Sequence, residues 1–200
     1  DFSFYGCSLL AQITIPSSVT SIGSNAFNKC SSLTLFEFPS SITTIKENTL
    51  NDCSSLVQVI IPSSVDTIEH YAFMGCSSLT QVSFVSPSHV ISIGHDAFNN
   101  CLSLKQISIP SSVTSIGDFA FIRCFALREI TIPSSINRDH LYIPKEARIN
   151  TIERVKRKKN RKWLKEPKSF GNLFKKLLYF LIPNLYIFIE RVKRKKNNYN

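Results

Sequence analysis

The 200 residues are 43% hydrophobic and carry 24 Lys+Arg against 14 Asp+Glu, a formal charge of +10. That figure describes neither end of the chain: residues 1–136 hold 5 basic and 9 acidic residues and residues 137–200 hold 19 and 5, giving net charges of −4 and +14. A basic, phosphate-seeking surface is thereby excluded from the first two thirds, and any such surface lies in the tail.

From its first residue the chain reads as a repeat. Asp1-Phe2-Ser3-Phe4 aligns with Asp118-Phe119-Ala120-Phe121, so the expectation is a fragment that begins within a repeat and leaves Phe4 and Leu9 partly open to water. Cysteines follow at Cys7, Cys30, Cys53, Cys76, Cys101 and Cys124, spaced by 23 residues except for one gap of 25. The unit reads C-s-s-L-x-x-I-x-I-P-s-s-V-x-x-I-g-x-x-A-F, with five complete copies and a sixth that stops short. Six and eight residues past each cysteine stand apolar pairs such as Ile13 and Ile15, Phe36 and Phe38, or Ile107 and Ile109. A spacing of two places both on one face of a strand. Pro16, Pro39, Pro62, Pro110 or Pro133 then ends the strand, because proline has no N–H to give a ladder. A second short extended piece carries pairs such as Val19 and Ile22 or Val113 and Ile116, and an Ala-Phe pair closes the turn, with Thr49-Leu50 in its place in the second repeat.

No unit of this kind stands alone. Ordering a residue's backbone costs roughly 1–2 kcal/mol, whereas burying a large apolar side chain returns about 1.5–3 kcal/mol. The coils must therefore stack, with their strands in a parallel ladder at about 4.8 Å per coil.

The unit as it stands in Cys7 to Phe27 and in Cys101 to Phe121 resembles that of the BspA-like leucine-rich-repeat surface antigens of oral bacteria and parasitic protists, over residues 1–136 and in register. The resemblance implies a β-rich leucine-rich-repeat solenoid with a parallel strand ladder and short helical turns, about 23 residues per coil, displayed outside a cell and adhering to matrix proteins or other cells. No catalytic residues and no cofactor come with it. Residues 137–200 do not match the repeat and form a second region, a basic and partly apolar tail.

The cysteines admit two readings. Stacked coils bring successive Cα atoms to about 5 Å, within the 4.4–6.8 Å range a disulfide tolerates, although parallel Cβ vectors oppose its torsion. The other reading is a small core hydrophobe at each coil corner. Metal binding lacks support, since no C-x-x-C pair occurs. Six residues before each cysteine run Asp1, Ser24, Glu47, His70, His95 and Asp118, so His70 and His95 fall on adjacent coils and are the metal candidates, with Glu47 or Asp118 as third ligand. Groups in a straight line make a poor tetrahedron, and the alternative is solvated loop residues.

The outward positions of the first strand are the expected protein-binding face: Gln12, Leu35, Glu37, Gln58, Ile60, Gln81, Gln106 and Glu129. Leu35 and Ile60 make an apolar spot two coils wide. Gln58, Gln81 and Gln106 either hydrogen-bond one another along the sheet or meet a partner, and the face offers no aromatic anchor. His89 lies in the one irregular loop, where two extra residues separate Phe84 from Val90; such loops in repeat arrays often sit on binding edges.

There is no P-loop, G-x-G-x-x-G or H-E-x-x-H, and the Ser-Ser pairs after the prolines suit corners rather than catalysis, so an enzyme is not expected. In the tail, Ile152 to Asn160 returns verbatim as Ile189 to Asn197, and residues 177–189 form an apolar run interrupted by Pro183 and Asn184. This run is shorter than the roughly 20 residues a membrane span needs. Its basic flanks suit an anionic membrane surface instead. Lys156, Arg157, Lys158 and Lys159 with Trp163, and Lys193 with Arg194, would make that contact, or alternatively serve nuclear import or nucleic acid. Pro144 to Leu164 and Pro167 to Lys196 are expected to be helix-prone.

The expected function is that of a non-catalytic cell-surface or extracellular adhesion module that binds a protein ligand. The alternative is a cytoplasmic or nuclear repeat scaffold, in which the same face holds a protein and the tail serves as address; nucleic acid is the least supported partner.

Overall fold

In the computed structural model, which describes residues 1–139 and 141–153, the repeats wind into stacked coils with two parallel sheets. The first sheet has six strands in the order β1 (Leu35–Glu37), β3 (Gln58–Ile61), β5 (Gln81–Phe84), β7 (Gln106–Ser108), β9 (Glu129–Pro133) and β10 (Arg148–Ile152). The second has four: β2 (Thr44–Ile45), β4 (Thr67–Ile68), β6 (Ser92–Ile93) and β8 (Ser115–Ile116). Register follows the sequence columns: Leu35, Gln58, Gln81, Gln106 and Glu129 are successive partners across the first sheet. The earliest coil joins through a single bridge, Gln12 to Leu35.

The period of two expected for the strands is the period of burial. In β3 the pattern runs exposed, buried, exposed, buried from Gln58 to Ile61. Phe36, Val59, Val82, Ile107 and Ile130 line one continuous core with the leucine column of Leu33, Leu56, Leu79, Leu104 and Leu127. At the first coil this core is open, and Phe4 and Leu9 are 37% and 91% exposed.

The turn that closes each coil is not helical, which corrects one expectation: no helix occurs among the described residues. Two positions per coil explain this. The residue five before each cysteine and the residue directly before it sit in the left-handed region, as in Asn25 (φ 57°) with Lys29 (φ 63°) and Asp96 (φ 54°) with Asn100 (φ 62°). A right-handed helix cannot pass through them. Backbone donors instead alternate between two destinations. Asn25, Phe27 and Lys29 donate to Glu47, Thr49 and Asn51 of the next coil at 2.9, 2.9 and 2.8 Å, while Ala26, Asn28 and Cys30 donate three residues back within their own coil. The turn is thus a third hydrogen-bonded ladder. In three coils a side-chain clamp spans it: Asn28 to Asn25, Asn51 to Asn48 and Asn99 to Asp96, at 2.9, 2.8 and 2.6 Å.

Inside the turns the phenylalanines stack. Phe4 lies on Phe27 at 5.0 Å, Phe73 on Phe98 at 5.2 Å and Phe98 on Phe121 at 5.5 Å, with interplanar angles of 4°, 4° and 2°. Leu50 interrupts the stack, and the missing ring volume is supplied from the strand beside it. Phe36 meets Phe27 edge-on at 4.8 Å, and Phe38 reaches Phe73 at 6.2 Å.

The ladder does not stop where the cysteine repeat stops. A helix was expected from Pro144 onward, but Arg148–Ile152 is strand β10, paired with β9 from Arg148↔Glu129 to Ile152↔Pro133. The exposed edge of β9 offers backbone partners, and Leu141, Ile143, Ala147 and Ile149 pack on the core, leaving Ile132 and Ile136 buried. Pairing and burial outweigh the helix preference of a short charged segment.

Candidate functional site

The outward positions of the first sheet form a two-row grid. Gln12, Leu35, Gln58, Gln81, Gln106 and Glu129 make one row across the coils. Glu37, Ile60 and Ser83 are partners in the second, which continues in Ser108 and Thr131. The eight residues expected to line a binding face therefore do lie on one face.

The grid divides into two chemically different halves. On the earlier coils, Leu35 and Ile60 are 43% and 49% exposed and are joined by Val85 at 42%. These three line a hollow of about 360 Å³ with Glu37 and Gln58 at its side. Val85 comes from the two-residue insertion, whose signal in the sequence was its length and not its composition. His89 anchors that loop, its Nδ1 lying 2.7 Å from the carbonyl oxygen of Ser63.

On the later coils the face is a polar groove of about 710 Å³, lined by Gln81, Ser83, Gln106, Ser108, Glu129 and Thr131, with the insertion as its wall. The glutamines do not form a ladder with one another. Gln81 Nε2 donates to Ser83 Oγ on its own strand at 3.1 Å, the one side-chain hydrogen bond involving Gln58, Gln81 or Gln106 among the described residues. Glu129 accepts a hydrogen bond from Asn150 Nδ2 on β10, a contact the repeat pattern gave no means of anticipating.

The two metal candidates are neighbours, but they do not converge on a common point. The His70 and His95 rings are 6.4 Å apart and lie edge to face. His70 Nδ1 accepts the backbone N–H of His95 at 2.9 Å, while the two ring nitrogens of His95 face the Asp118 carbonyl oxygen at 2.6 Å and Asp96 Oδ2 at 2.9 Å. Both ring nitrogens of His95 thus face oxygen atoms of the protein rather than a point shared with His70. Among the described residues no three His, Cys, Asp or Glu side chains are grouped to hold one.

The cysteines are free thiols, buried from Cys30 to Cys124, with Cys7 exposed. Each buried thiol donates to a carbonyl of the preceding coil: Cys30 to Phe4, Cys53 to Phe27, Cys76 to Leu50, Cys101 to Phe73 and Cys124 to Phe98, at 3.1, 3.2, 3.2, 3.3 and 3.2 Å. Burial pushes the Cys124 thiol up to about 12. Burial, with a smaller effect of neighbouring thiols and Asp52, holds Cys53 far above the ordinary thiol value. These are neutral structural donors, without the lowered pKa a reactive thiolate needs. Lys156, Arg157, Lys158, Lys159, Trp163, Lys193 and Arg194 lie outside the described residues.

Comparison with known proteins bears on what such a face is for. A crystal structure of a leucine-rich cell-surface protein from Faecalibacterium prausnitzii A2-165 is similar, with 30% identity and a TM-score of 0.53, over 72% of this chain and 47% of that one. A leucine-rich-repeat protein of T. pallidum is similar at 32% identity and a TM-score of 0.55, over 58% and 56% of the two chains. This chain thus spans about half the length of each. No curated protein matches it. The family described as BspA type leucine-rich repeat region, in 6 copies, matches residues 1–86 and 82–153. Its fold is of the protein–protein interaction type and is typically non-catalytic. A repeat read from cysteine spacing, a parallel ladder in that register and a family match over both stretches lead to one conclusion: the chain belongs to the BspA-type leucine-rich-repeat family.

Proposed function

We propose that this chain is a non-catalytic recognition module of a cell surface, which binds matrix or cell-surface proteins through the strand face of its first sheet. The observation that carries this reading is the hollow of Leu35, Ile60 and Val85, three aliphatic side chains at 43%, 49% and 42% exposure on an otherwise polar grid. Apolar side chains gathered on a rigid sheet and rimmed by Glu37 and Gln58 make the dry centre and wet rim that protein interfaces use. The strand ladder holds this patch in place, so little ordering cost opposes binding. The cell-surface description of the Faecalibacterium protein supports the location.

Two measurements test the proposal. Antibody and protease access to the protein on intact, unpermeabilised cells should match access after permeabilisation; protection until permeabilisation would refute the surface location. Full-length protein should bind at least one of immobilised collagen, laminin and fibronectin, and Ile60→Asp should weaken that binding by at least about tenfold, since a desolvated charge in an apolar contact costs more than about 1.4 kcal/mol. Equal binding by the variant, with unchanged melting, would remove the hollow from the interface.

A further inference from the structure

We propose that the polar groove on the later coils is a binding site for a neutral oligosaccharide. It shares a sheet with the apolar hollow but is chemically distinct from it and does not depend on the protein-binding reading.

The groove exists because the insertion changes the ladder locally. β3 and β5 pair at four positions, from Gln58↔Gln81 to Ile61↔Phe84, and β7 and β9 pair at three. Between β5 and β7 the pairing is reduced to Gln81↔Gln106. Two extra residues after Phe84 displace the exit of β5, and the groove lies where the pairing lapses, with Ser86, Pro87 and Ser88 as its wall. Its volume of about 710 Å³ falls within the range of sites for small ligands.

The chemistry of the lining selects the ligand class. Among the described residues Gln106 has no side-chain hydrogen bond, and Gln81 spends one donor on Ser83. Each amide carries two N–H donors and a carbonyl acceptor, and Ser108 and Thr131 add hydroxyls that both donate and accept. A ligand dense in hydroxyl groups answers donors and acceptors together, where a hydrocarbon would leave them unsatisfied. Phe84, Pro87 and Pro110 supply apolar faces against which the C–H side of a sugar ring can lie.

Charge narrows the class further. Among the described residues no lysine or arginine lines the groove, and the one charged residue there, Glu129, already accepts a hydrogen bond from Asn150. Against this described lining, sulfated, phosphorylated or carboxylated sugars would meet no cation and one like charge. A peptide segment would find no fully exposed aromatic anchor in this half of the face, only the half-buried Phe84 and two prolines. Outward groups recur at about 4.8 Å across the strands and about 6.6 Å along them, a grid fine enough to address several hydroxyls of a single sugar unit.

The test is ligand-observed saturation-transfer NMR on the full chain with maltotriose, mannotriose, N-acetylchitotriose and lactose at millimolar concentration. At least one should receive saturation. Gln106→Ala and Thr131→Val, both on the outward grid, should each weaken that binding roughly three- to tenfold, as loss of a hydrogen-bonding group does. Ile60→Asp, in the other half of the face, should leave it unchanged, so failure here is separable from failure of the protein-binding reading. Absence of saturation for all four sugars overturns the proposal. So does saturation that survives both substitutions, or loss of matrix-protein binding in the two variants without any sugar signal, which would assign the groove to the protein interface. Unchanged melting temperatures confirm that the variants are folded.

Discussion

The exchange of ring volume at Leu50 can be tested as a coupling between a turn residue and a strand residue of the same repeat. Leu50 takes the place of a phenylalanine in the turn stack, and Phe36 and Phe38 take the place of smaller aliphatics on the adjacent strand, where Phe38 reaches Phe73 at 6.2 Å. Leu50→Phe alone inserts a ring into a filled core, at a cost of about 1–3 kcal/mol. Phe38→Ile alone removes three side-chain carbons from a buried site, which at ~0.8 kcal/mol per buried carbon costs about 2–3 kcal/mol before any cavity term. Together the two substitutions restore the arrangement of the coils on either side, Phe in the turn and Ile on the strand. The pair should therefore cost at least about 1 kcal/mol less than the sum of the single costs, a coupling of the size neighbouring core residues show. Equilibrium urea denaturation of the full chain, comparing the two single variants and the double, measures this; for a chain of this length 1 kcal/mol is about 2–4 °C in melting temperature. Additivity within about 0.5 kcal/mol would mean that Phe38 does not fill the space Leu50 leaves, and the compensation argument would fail.

Two further predictions concern how closely the coils approach. A Cβ built on Gly117 would stand 2.5 Å from the His95 backbone nitrogen, so Gly117→Ala forces two coils apart; thermal melting should fall by several degrees, and an unchanged melting temperature would show that the stack relaxes freely. The buried thiols predict alkaline sensitivity. With the folded Cys124 value at about 12 against 9.0 for a free thiol, both states keep the proton below about pH 9, while between about 9 and 12 only the unfolded state releases it. Stability should therefore decline with rising pH across that window. Cys124→Ala should flatten the decline in pH-dependent melting, whereas an equally steep decline would assign it to other groups.

The inward columns were legible because each repeats in register, so a single reading of Ile107 and Ile109 as one face was checked five times over by its equivalents. The turn was not. Its left-handed positions hold Asn25, Asn48 and Asp96, which favour that conformation, but also Tyr71, Phe119 and Arg123, which do not, and the mixture hides the signal. Strand β10 was missed for a different reason: Arg148–Ile152 carries none of the repeat's cysteine, leucine or proline marks, and its strand conformation is imposed by the free edge of β9. On the outward face, Leu35 and Ile60 could be read from the alternation of β1 and β3. Val85 could not, since an inserted residue has no column to predict its direction. That the side-chain amides of Gln58 and Gln106 meet no partner among the described residues was not legible, because composition cannot distinguish a glutamine ladder from a row of separate side chains.

Stability and recognition draw on different atoms of the same strands. From Phe36 through Val59, Val82 and Ile107 to Ile130, the inward column changes shape but stays apolar and buried. The partner positions one residue earlier pass from Leu35 through three glutamines to Glu129 with no common chemistry. Backbone bonds carry the ladder whatever side chain points outward, so an outward substitution perturbs folding by a few tenths of a kcal/mol while an inward one costs several. The outward face is therefore free to change its chemistry without endangering the coil. The insertion after Phe84 uses the same freedom along the backbone: it alters one strand pairing, adds Val85 to the apolar hollow and walls the polar groove, yet Val90 and Ile93 beyond it return to the core in register. One two-residue change thus contributes to the division of the outward face into two chemically different halves.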